Sequence, residues 1–518
     1  MTILDNLGRA ALLGTQRGEL PALPHDDSAL GQYLTGLNPE QPEALLLNAA
    51  GALSIYEQIG RLPRRFATSK SAAAAEANVG SAHGCSPAAA SALFILLNGS
   101  HSGLLPEFLS ALADAGQVVP RLPLPNLLDH GTRNISTRRF ILPVLGPTGR
   151  WLAGQNPEWR WAAPGIESWE TTLDLWKTDK PQARQALLRQ QRLVDPAAGL
   201  RLLQSTWKAE DATRRASLIG TLESGLSMAD EPFLETALDD RLHAVRKKAA
   251  ELLARLPESR LCQRMVQNTV ELIHWEPDTD EKIRLHFPDE FAPAIYRDGV
   301  VKRPGKDLAR IRSNQLTEIV GAIPLDHWTS TWHSTPVQII EARAASKWPV
   351  SLLRGWAAAA ERQQRVDWAK PLLHADDFGI NTLRLIAILP LAEFEALVQE
   401  LNAQLPADQI ISKETTLVKV LRKWTEAWTQ PLIELWLDRL RTYIVQDTES
   451  KTPDAILRAT LRQMARQAVP AHMPLAIDAL RPMVQDNLWR PAILEALSIL
   501  TFRQRMLEGV EEVAEGRS

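Results

Sequence analysis

The sequence predicts a mainly α-helical fold, a HEAT-like α-solenoid of stacked helical hairpins with a small β-hairpin insertion. Apolar residues recur every three or four positions along most of the chain, which is the spacing of one buried helix face. Helices that open on arginine recur in the middle of the chain. One short stretch near residue 285 alternates polar and apolar residues, as a strand does.

Length and pattern divide the chain into segments. Its 518 residues exceed what one hydrophobic core usually organises, since single domains run to about 100–200 residues. The predicted segments are an N-terminal helical region with loops (1–165), the HEAT-like repeats (166–262), an insertion with a β-hairpin (263–312) and a C-terminal repeat-like helical region (313–518).

The N-terminal segment carries predicted helices at Ile3–Leu13, Ala44–Ile59, Pro87–Leu97 and Leu104–Leu112. Prolines and glycines then crowd residues 120–164 and predict brief helices joined by tight turns around Gly146–Gly149. We interpret this stretch as a junction before the repeats.

The repeats give the clearest signal. Apolar faces on either side of the short stretch 239–243 predict two helices, and so short a connection makes them an antiparallel hairpin. Asp195-Pro196 predicts a helix start, with an N-cap followed by proline at the first helical position. Ser227 and Asp230 have the spacing of a capping box.

Arginine-led helix starts at Arg184, Arg214-Arg215 and Val245-Arg246 are 30 and 32 residues apart, which indicates a repeat. This period is shorter than the roughly 40–47 residues of HEAT units and close to the 34 of tetratricopeptide units, whose pattern is missing. Asp240 is predicted to accept hydrogen bonds from the N–H groups that open the Val245 helix, or from Arg246.

Beyond the repeats, Lys282–Phe287 alternates as a strand and predicts the β-hairpin. Helical spacing returns from Asn314 to Val513 in segments such as Thr415–Trp428.

Two segments resemble a known family. Asp230–Ser259, DEPFLETALDDRLHAVRKKAAELLARLPES, resembles the signature of an uncharacterised bacterial family of HEAT-like helical repeats, and Gly146–Trp161, GPTGRWLAGQNPEWRW, is similar to a second segment of it. That family is a domain of unknown function without assigned catalytic residues, so the resemblance implies a fold and no activity. Its members tend to be encoded near AAA+ ATPases and von Willebrand factor A proteins, which implies partners of those kinds.

The short chemical motifs in the sequence each depart from the pattern that their chemistry requires. Gly299–Lys306 is the nearest approach to a phosphate-binding loop, but its glycine spacing is wrong, Pro304 removes an N–H donor and Asp307 replaces the Ser/Thr. Gly99–Gly103 has His101 where a nucleophile elbow has serine. His83 and Cys85 have no second pair at zinc spacing. We therefore predict no cofactor, metal or catalytic residue.

The strongest basic cluster consists of Lys302, Arg303, Lys306, Arg310 and Arg312, relieved by Asp307. It could bind an anionic partner, but basic and acidic residues nearly balance in every segment and the net charge is −3. Phosphate-backbone binding needs a sustained positive excess. A solvated face or protein-contact patch is therefore favoured over nucleic acid.

Tryptophan is unusually frequent, with 16 residues against four tyrosines. One group comprises Trp151, Trp159, Trp161, Trp169 and Trp176, and a second comprises Trp424, Trp428 and Trp436 at helical spacing. Core packing is favoured over exposed hot spots, because indoles bury a large apolar area.

The leading functional hypothesis is a non-enzymatic protein–protein interaction scaffold or adaptor, since stacked helix pairs offer an extended surface. A nucleic-acid-binding repeat protein is the alternative, and an enzyme with a site assembled from distant residues stays open. Two distant cysteines, no signal-peptide pattern and no apolar run of about 18 residues predict the cytoplasm and no membrane partner.

Overall fold

The computed structural model describes residues 3–13, 22–23, 28–59, 83–163, 172–173, 176–177, 181–376, 378–379, 381–406, 409, 411–446, 452–485 and 488–514. These residues are mainly helical, as the sequence predicts, and they include two small two-stranded sheets, of which the sequence predicts only the β-hairpin. The chain divides into two compact units, residues 1–80 and 81–518. Each unit is described by itself.

Unit 1 contains three helices, α1 (Ile3–Leu13), α2 (Ala29–Thr35) and α3 (Pro42–Ile59). The predicted helix Ile3–Leu13 is confirmed, and Ala44–Ile59 lies within α3. Ser28 caps α2 by accepting a hydrogen bond from the Gly31 N–H at 3.0 Å. A small apolar core joins the three helices: Leu7, Ala10, Leu34, Leu46, Ala49 and Leu53.

Unit 2 begins with short elements. They are β1 (His83–Gly84), α4 (Pro87–Leu97), α5 (Leu105–Asp114), β2 (Gln117–Val118), α6 (Leu124–Arg133), α7 (Arg138–Ile141) and α8 (Gly146–Ala153). Turns of 3-10 helix lie at Ser102–Leu104, Ile135–Thr137, Leu142–Val144 and Pro157–Ala162. Strands β1 and β2 pair in parallel, His83 opposite Gln117.

The predicted tight turn around Gly146–Gly149 is wrong, because α8 starts there. Gly146 has φ at 58°, a left-handed conformation that glycine adopts without steric cost. Pro147 then fits the first helical turn, where its missing N–H is not needed.

The repeat segment contains α9 (Pro181–Val194), α10 (Pro196–Thr206), α11 (Ala212–Ile219), α12 (Glu231–Ala237), α13 (His243–Leu253) and α14 (Arg260–Thr269), with 3-10 turns at Gly220–Glu223 and Met228–Asp230. Helices α12 and α13 pack together as the predicted hairpin, and α9 packs on α10. The predicted cap is confirmed, since the Asp195 carboxylate accepts from the Ala198 N–H at 2.9 Å. In the capping box, the Ser227 N–H donates to Asp230 at 3.0 Å.

The predicted β-hairpin is confirmed as β3 (Ile273–Trp275) and β4 (Ile283–Leu285). The strands are antiparallel, with Ile273 opposite Leu285 and Trp275 opposite Ile283. A short helix, α15 (Pro293–Arg297), follows.

The remaining helices are α16 (Leu308–Val320), α17 (Leu325–Trp332), α18 (Pro336–Ala342), α19 (Pro349–Gln363), α20 (Val366–Ala375), α21 (Leu391–Ala403), α22 (Thr416–Lys423), α23 (Gln430–Gln446), α24 (Ala455–Gln467), α25 (Met473–Leu480) and α26 (Arg490–Ala514). Turns of 3-10 helix lie at Arg343–Ala345, Leu383–Ile388, Pro470–His472 and Arg481–Gln485.

The predicted helix Thr415–Trp428 is wrong, because α22 ends at Lys423. The Trp428 N–H donates to the Gln467 carbonyl at 2.8 Å, and the Val469 N–H donates to the Trp428 carbonyl at 2.9 Å. The Gln467 side chain also donates to the Thr425 carbonyl at 3.0 Å. These bonds satisfy backbone groups that a longer helix would have paired internally.

The last helix of unit 2 packs against its first helices. Helix α26 contacts α4 and α5, and the side chains of Ser86 and Gln117 donate to the carbonyls of Gly509 and Val510, each at 2.6 Å. One apolar core runs from Ala89 to Val510. Residues 83–163 thus share a core with the repeats, whereas the segment boundaries at 166, 263 and 313 stay predictions about sequence pattern.

Candidate functional site

The arginines that open two of the repeat helices bind carboxylates in the connections between later helices. Arg184 donates to the Glu210 carboxylate, with Nη2 and Oε1 2.5 Å apart, and its guanidinium lies 4.1 Å from the centre of the Trp176 ring. Both charged side chains are largely buried. A charge-assisted bond with little water around it holds the two elements together.

The same arrangement recurs one repeat later. Arg215 pairs with Asp240, with Nε and Oδ2 2.7 Å apart, and its guanidinium lies 5.8 Å from the Trp207 ring. Arg215 and Trp207 each follow their counterparts in the preceding repeat by 31 residues. The repeat that the arginine-led helices indicate is therefore a recurring contact. In its second copy the arginine is Arg215.

Asp240 accepts hydrogen bonds at the start of α13. Its Oδ1 accepts the Leu242 N–H at 2.8 Å, at the start of α13, whereas Arg246 donates to the Asp240 carbonyl instead of its carboxylate, at 2.8 Å. Burial raises the pKa of Asp240. Hydrogen bonds from Arg215 and Leu242 and the nearby positive charges outweigh this effect, so the net pKa is below its usual value. Val245 is fully buried.

The structure surrounds the predicted basic cluster with carboxylates. Lys302 pairs with Glu290 at 2.7 Å, and their hydrogen bond raises the pKa of the lysine and lowers that of the glutamate. Arg303 pairs with Glu318 at 2.5 Å. These carboxylates lie 12 and 15 residues from their partners, too far along the chain to be paired from sequence.

The other three members of the cluster differ in their surroundings. Arg310 is 3.7 Å from Asp307, the carboxylate that caps α16. Arg312 lies 5.4 Å from the Phe287 ring, and Lys306 is exposed. Three of the five predicted positive charges are therefore partly neutralised by nearby carboxylates.

The weak chemical motifs have structural roles. Gly299 has φ at 100°, and a Cβ there would lie 2.5 Å from the Cβ of Ala250, so the loop packs directly on α13. His101 stacks on Phe502 with ring centroids 4.8 Å apart. Burial raises the pKa of Cys85 to about 11, which keeps its thiol protonated at neutral pH. Among the described residues, no group of three His, Cys, Asp or Glu is placed to hold a metal.

The tryptophans are mostly in the core, as predicted. Trp424, Trp428 and Trp436 are at most 1% exposed, although they do not share one helix. In the first group, Trp176 is fully buried and Trp151 is 40% exposed. Trp169 lies outside the described residues.

A cleft that the sequence analysis missed lies between α7 and α9. Its cavity volume is about 420 Å³, and we name it the arginine cleft after three of its lining residues. One side is formed by Ile135, Ser136, Arg138, Arg139 and Trp161, and the other by Ala183, Gln185, Ala186, Leu187, Arg189, Gln190, Leu193 and Ser224. These described lining residues include three arginines and no Asp or Glu.

Helix α9 presents different faces to the core and to the cleft. Arg184, Leu188 and Arg192 follow one another at four-residue intervals and point inward, with Leu188 and Arg192 at most 1% exposed. The next positions, such as Arg189 and Leu193, are exposed and line the cleft. The exposed face of α9 can be predicted from the sequence, but the residues on the other side of the cleft cannot.

The opposite wall is held by backbone contacts. Arg138 donates from Nε to the Gly131 carbonyl at 2.8 Å, and its guanidinium lies 4.7 Å from the Trp161 ring. Gly131 permits this close packing, because a Cβ there would be 2.4 Å from Cζ2 of Trp161. Trp161 itself donates to the Thr132 hydroxyl at 3.2 Å.

A second depression, of about 500 Å³, lies between α18 and α20. It is mainly apolar, and its two charged members, Glu341 and Lys370, have opposite signs. Charge thus distinguishes the arginine cleft from this depression.

Among the described helices, none has both the length and the apolar character that crossing a membrane requires.

The fold and contacts define a mainly helical protein whose helix pairs are fastened by recurring arginine–carboxylate pairs. The chain belongs to DUF5691, a family of unknown function, whose family model matches residues 6–510. This match confirms the resemblance to an uncharacterised family that the sequence indicates. No curated protein and no solved structure shows a significant match to the chain.

Proposed function

We propose that this chain is a non-enzymatic protein–protein interaction scaffold that holds a segment of a protein partner in the arginine cleft. The observation that carries the proposal is the cleft itself, whose volume of about 420 Å³ falls among those of ligand sites, roughly 300–1,000 Å³. Apolar side chains such as Leu187 and Leu193 stand beside polar ones, a mixture that suits a peptide.

The walls of the cleft support this proposal because internal contacts fix them. Arg184 and Arg192 anchor the inner face of α9, while Arg138 is bonded to the Gly131 backbone. A site that is already ordered loses less conformational entropy when its partner binds. The scaffold therefore offers a preformed surface.

For the partner, we propose first the classes that the family resemblance implies, an AAA+ ATPase or a von Willebrand factor A protein. For the location we propose the cytoplasm, since the partly buried Cys85 and the buried Cys262 are free thiols and suit a reducing compartment.

The test is quantitative affinity capture from the native host at near-physiological salt. Ala186→Trp places a large ring in the cleft, and Ala309→Trp, at an exposed position of α16, is its matched control. We expect a defined protein to be captured by the wild-type chain and by Ala309→Trp, and to be lost with Ala186→Trp. Capture that is equal for all three chains, or absent from all, would contradict the proposal.

A further inference from the structure

Resting on the proposed function, we infer that the arginine cleft is specific for an acidic segment, whose carboxylates bind Arg139 and Arg189 while an adjacent apolar residue packs against Leu193. The inference concerns the chemistry of the partner, which neither the family nor the sequence motifs indicate.

The charge of the cleft is its distinctive property. Among the described residues that line it there are three arginines and no Asp or Glu, and two of the arginines, Arg139 and Arg189, form no ion pair with a described carboxylate, although the whole chain has a net charge of −3. In the predicted basic cluster, by contrast, Lys302 and Arg303 are paired with Glu290 and Glu318. A concave surface of one charge sign attracts ligands of the opposite sign.

Arg139 and Arg189 are the groups placed to bind a ligand. They lie on opposite walls, both are exposed, and no carboxylate among the described residues pairs with either. Arg138 is already bonded to the Gly131 carbonyl and stacked near Trp161. The guanidinium group binds a carboxylate through two parallel hydrogen bonds, so each of these arginines can hold one acidic side chain.

The length of the cleft limits the ligand. From Ala183 to Leu193, α9 rises about 15 Å at roughly 1.5 Å per residue. An extended peptide advances about 3.3 Å per residue, so four or five residues span that distance. Arg189 and Leu193 are about 6 Å apart along the helix, which matches the spacing of residues i and i+2 in an extended peptide. The expected pattern is an acidic and an apolar residue separated by one position.

An acidic peptide fits this surface better than a nucleic acid does. Ile135, Leu187 and Leu193 supply apolar surface, while Gln185 and Gln190 can bond to a peptide backbone. A nucleic-acid backbone carries a charge at every step and is bound by long runs of basic residues. The arginine cleft instead has apolar side chains beside its arginines over a short distance.

The first experiment is the selection of displayed random heptapeptides on the immobilised full-length chain. We expect enrichment of Asp and Glu next but one to an apolar residue. The same selection on Arg139→Glu/Arg189→Glu should lose this enrichment. Lys302→Glu/Lys306→Glu, which changes the net charge equally, should keep it. Circular dichroism and thermal melting check that each variant is folded.

The second experiment measures affinity by fluorescence polarisation of a selected peptide. We expect binding to weaken at least tenfold in Arg139→Glu/Arg189→Glu, in Arg139→Gln/Arg189→Gln, and when Asn or Gln replaces the acidic residues of the peptide. A labelled dT12 oligonucleotide and inorganic phosphate as competitor test the other anion sources. Tighter binding of dT12, or displacement of the peptide by millimolar phosphate, would overturn the inference.

The outcomes separate the two proposals. If selected peptides bind in the cleft, are blocked by Ala186→Trp and are not acidic, the acidic specificity is wrong and the scaffold function stands. If no peptide is enriched on the wild-type chain, both proposals fail. Equal loss of binding in the two charge-reversed doubles would show a general charge effect and overturn the assignment to Arg139 and Arg189.

Discussion

Arg192 and Asp230 form a bidentate ion pair inside the repeat stack. Nη1 and Nη2 of the arginine lie 2.8 Å from Oδ1 and Oδ2 of the aspartate, and the side chains are 1% and 2% exposed. The guanidinium also donates to the carbonyls of Pro196, Leu222, Ser224 and Gly225. One side chain thus joins α9 to the first residue of α10 and to the turns that precede α12.

Loss of this arginine should destabilise the repeats strongly. Arg192→Leu leaves a buried carboxylate without its counter-charge, which costs about 3–5 kcal/mol of unfolding free energy. Urea denaturation followed by circular dichroism measures the change. Arg201→Leu, an exposed arginine on α10 that is 3.9 Å from Asp195, is the control and should cost less than about 1 kcal/mol. Equal effects of the two substitutions would contradict the prediction.

The contact between the ends of unit 2 should be visible in hydrogen exchange. Arg503 is 3% exposed, bonds to both oxygens of Glu107 and also donates to the Ala465 carbonyl at 2.9 Å. Arg503→Leu should therefore speed amide exchange in α4 and α5, about 400 residues away in sequence. Arg462→Leu is the control. It breaks an exposed ion pair with Glu495, which lies on α26 as Arg503 does, and it should leave amide exchange in α4 and α5 unchanged.

The contact between α16 and α19 depends on a glycine. A Cβ on Gly355 would lie 2.6 Å from the Cβ and Cγ1 atoms of Val320, well inside contact distance. Gly355→Ala should therefore force these helices apart and cost about 1–3 kcal/mol of unfolding free energy. Gly103→Ala, whose new Cβ would be 4.0 Å from Arg466, should change stability by less than about 0.5 kcal/mol. Chemical denaturation of both variants tests the difference.

The sequence predicts features that depend on neighbouring residues. Asp195-Pro196 predicts a helix start because a cap and its helix are local, and the alternation at Lys282–Phe287 predicts the strand β4 for the same reason. The repeat of arginine-led helices was also visible, since its period lies within the sequence itself.

The sequence could not predict features made by distant residues. Trp428 has helical spacing from Trp424, yet its backbone pairs with residues 467 and 469. The arginine cleft joins residues 135–161 to α9, and the pairing of Lys302 with Glu290 depends on how the loop folds back. In each case tertiary packing determines which distant residue makes the contact.

The ion pair between Arg215 and Asp240 predicts an acid-sensitive contribution to stability. Because the folded pKa of Asp240 is below its usual value of about 3.9, the unfolded chain binds more protons there, and stability rises with pH. The contribution is complete above that usual value and is lost as pH falls through the lower folded pKa.

We expect Asp240→Asn to lower the urea midpoint at pH 7 and to differ less from wild type at pH 3. Asp278→Asn, on the exposed turn of the β-hairpin, controls for the loss of one negative charge. A difference from wild type that is the same at both pH values would show that the ion pair is not its source.

The carboxylates around the predicted basic cluster should suppress binding to nucleic acid. Glu290→Gln/Glu318→Gln removes the partners of Lys302 and Arg303, so both cations become available to phosphates. We expect the mobility shift of a 30-base-pair duplex, chosen at about three helical turns, to strengthen. The slope of log affinity against log salt should steepen by roughly 0.9 for each cation released. Asp278→Asn/Glu258→Gln, with the same change in net charge at exposed positions, should leave binding unchanged. If the wild-type chain already binds the duplex tightly and Lys302→Glu/Arg303→Glu/Lys306→Glu abolishes that binding, the nucleic-acid alternative is favoured over the scaffold.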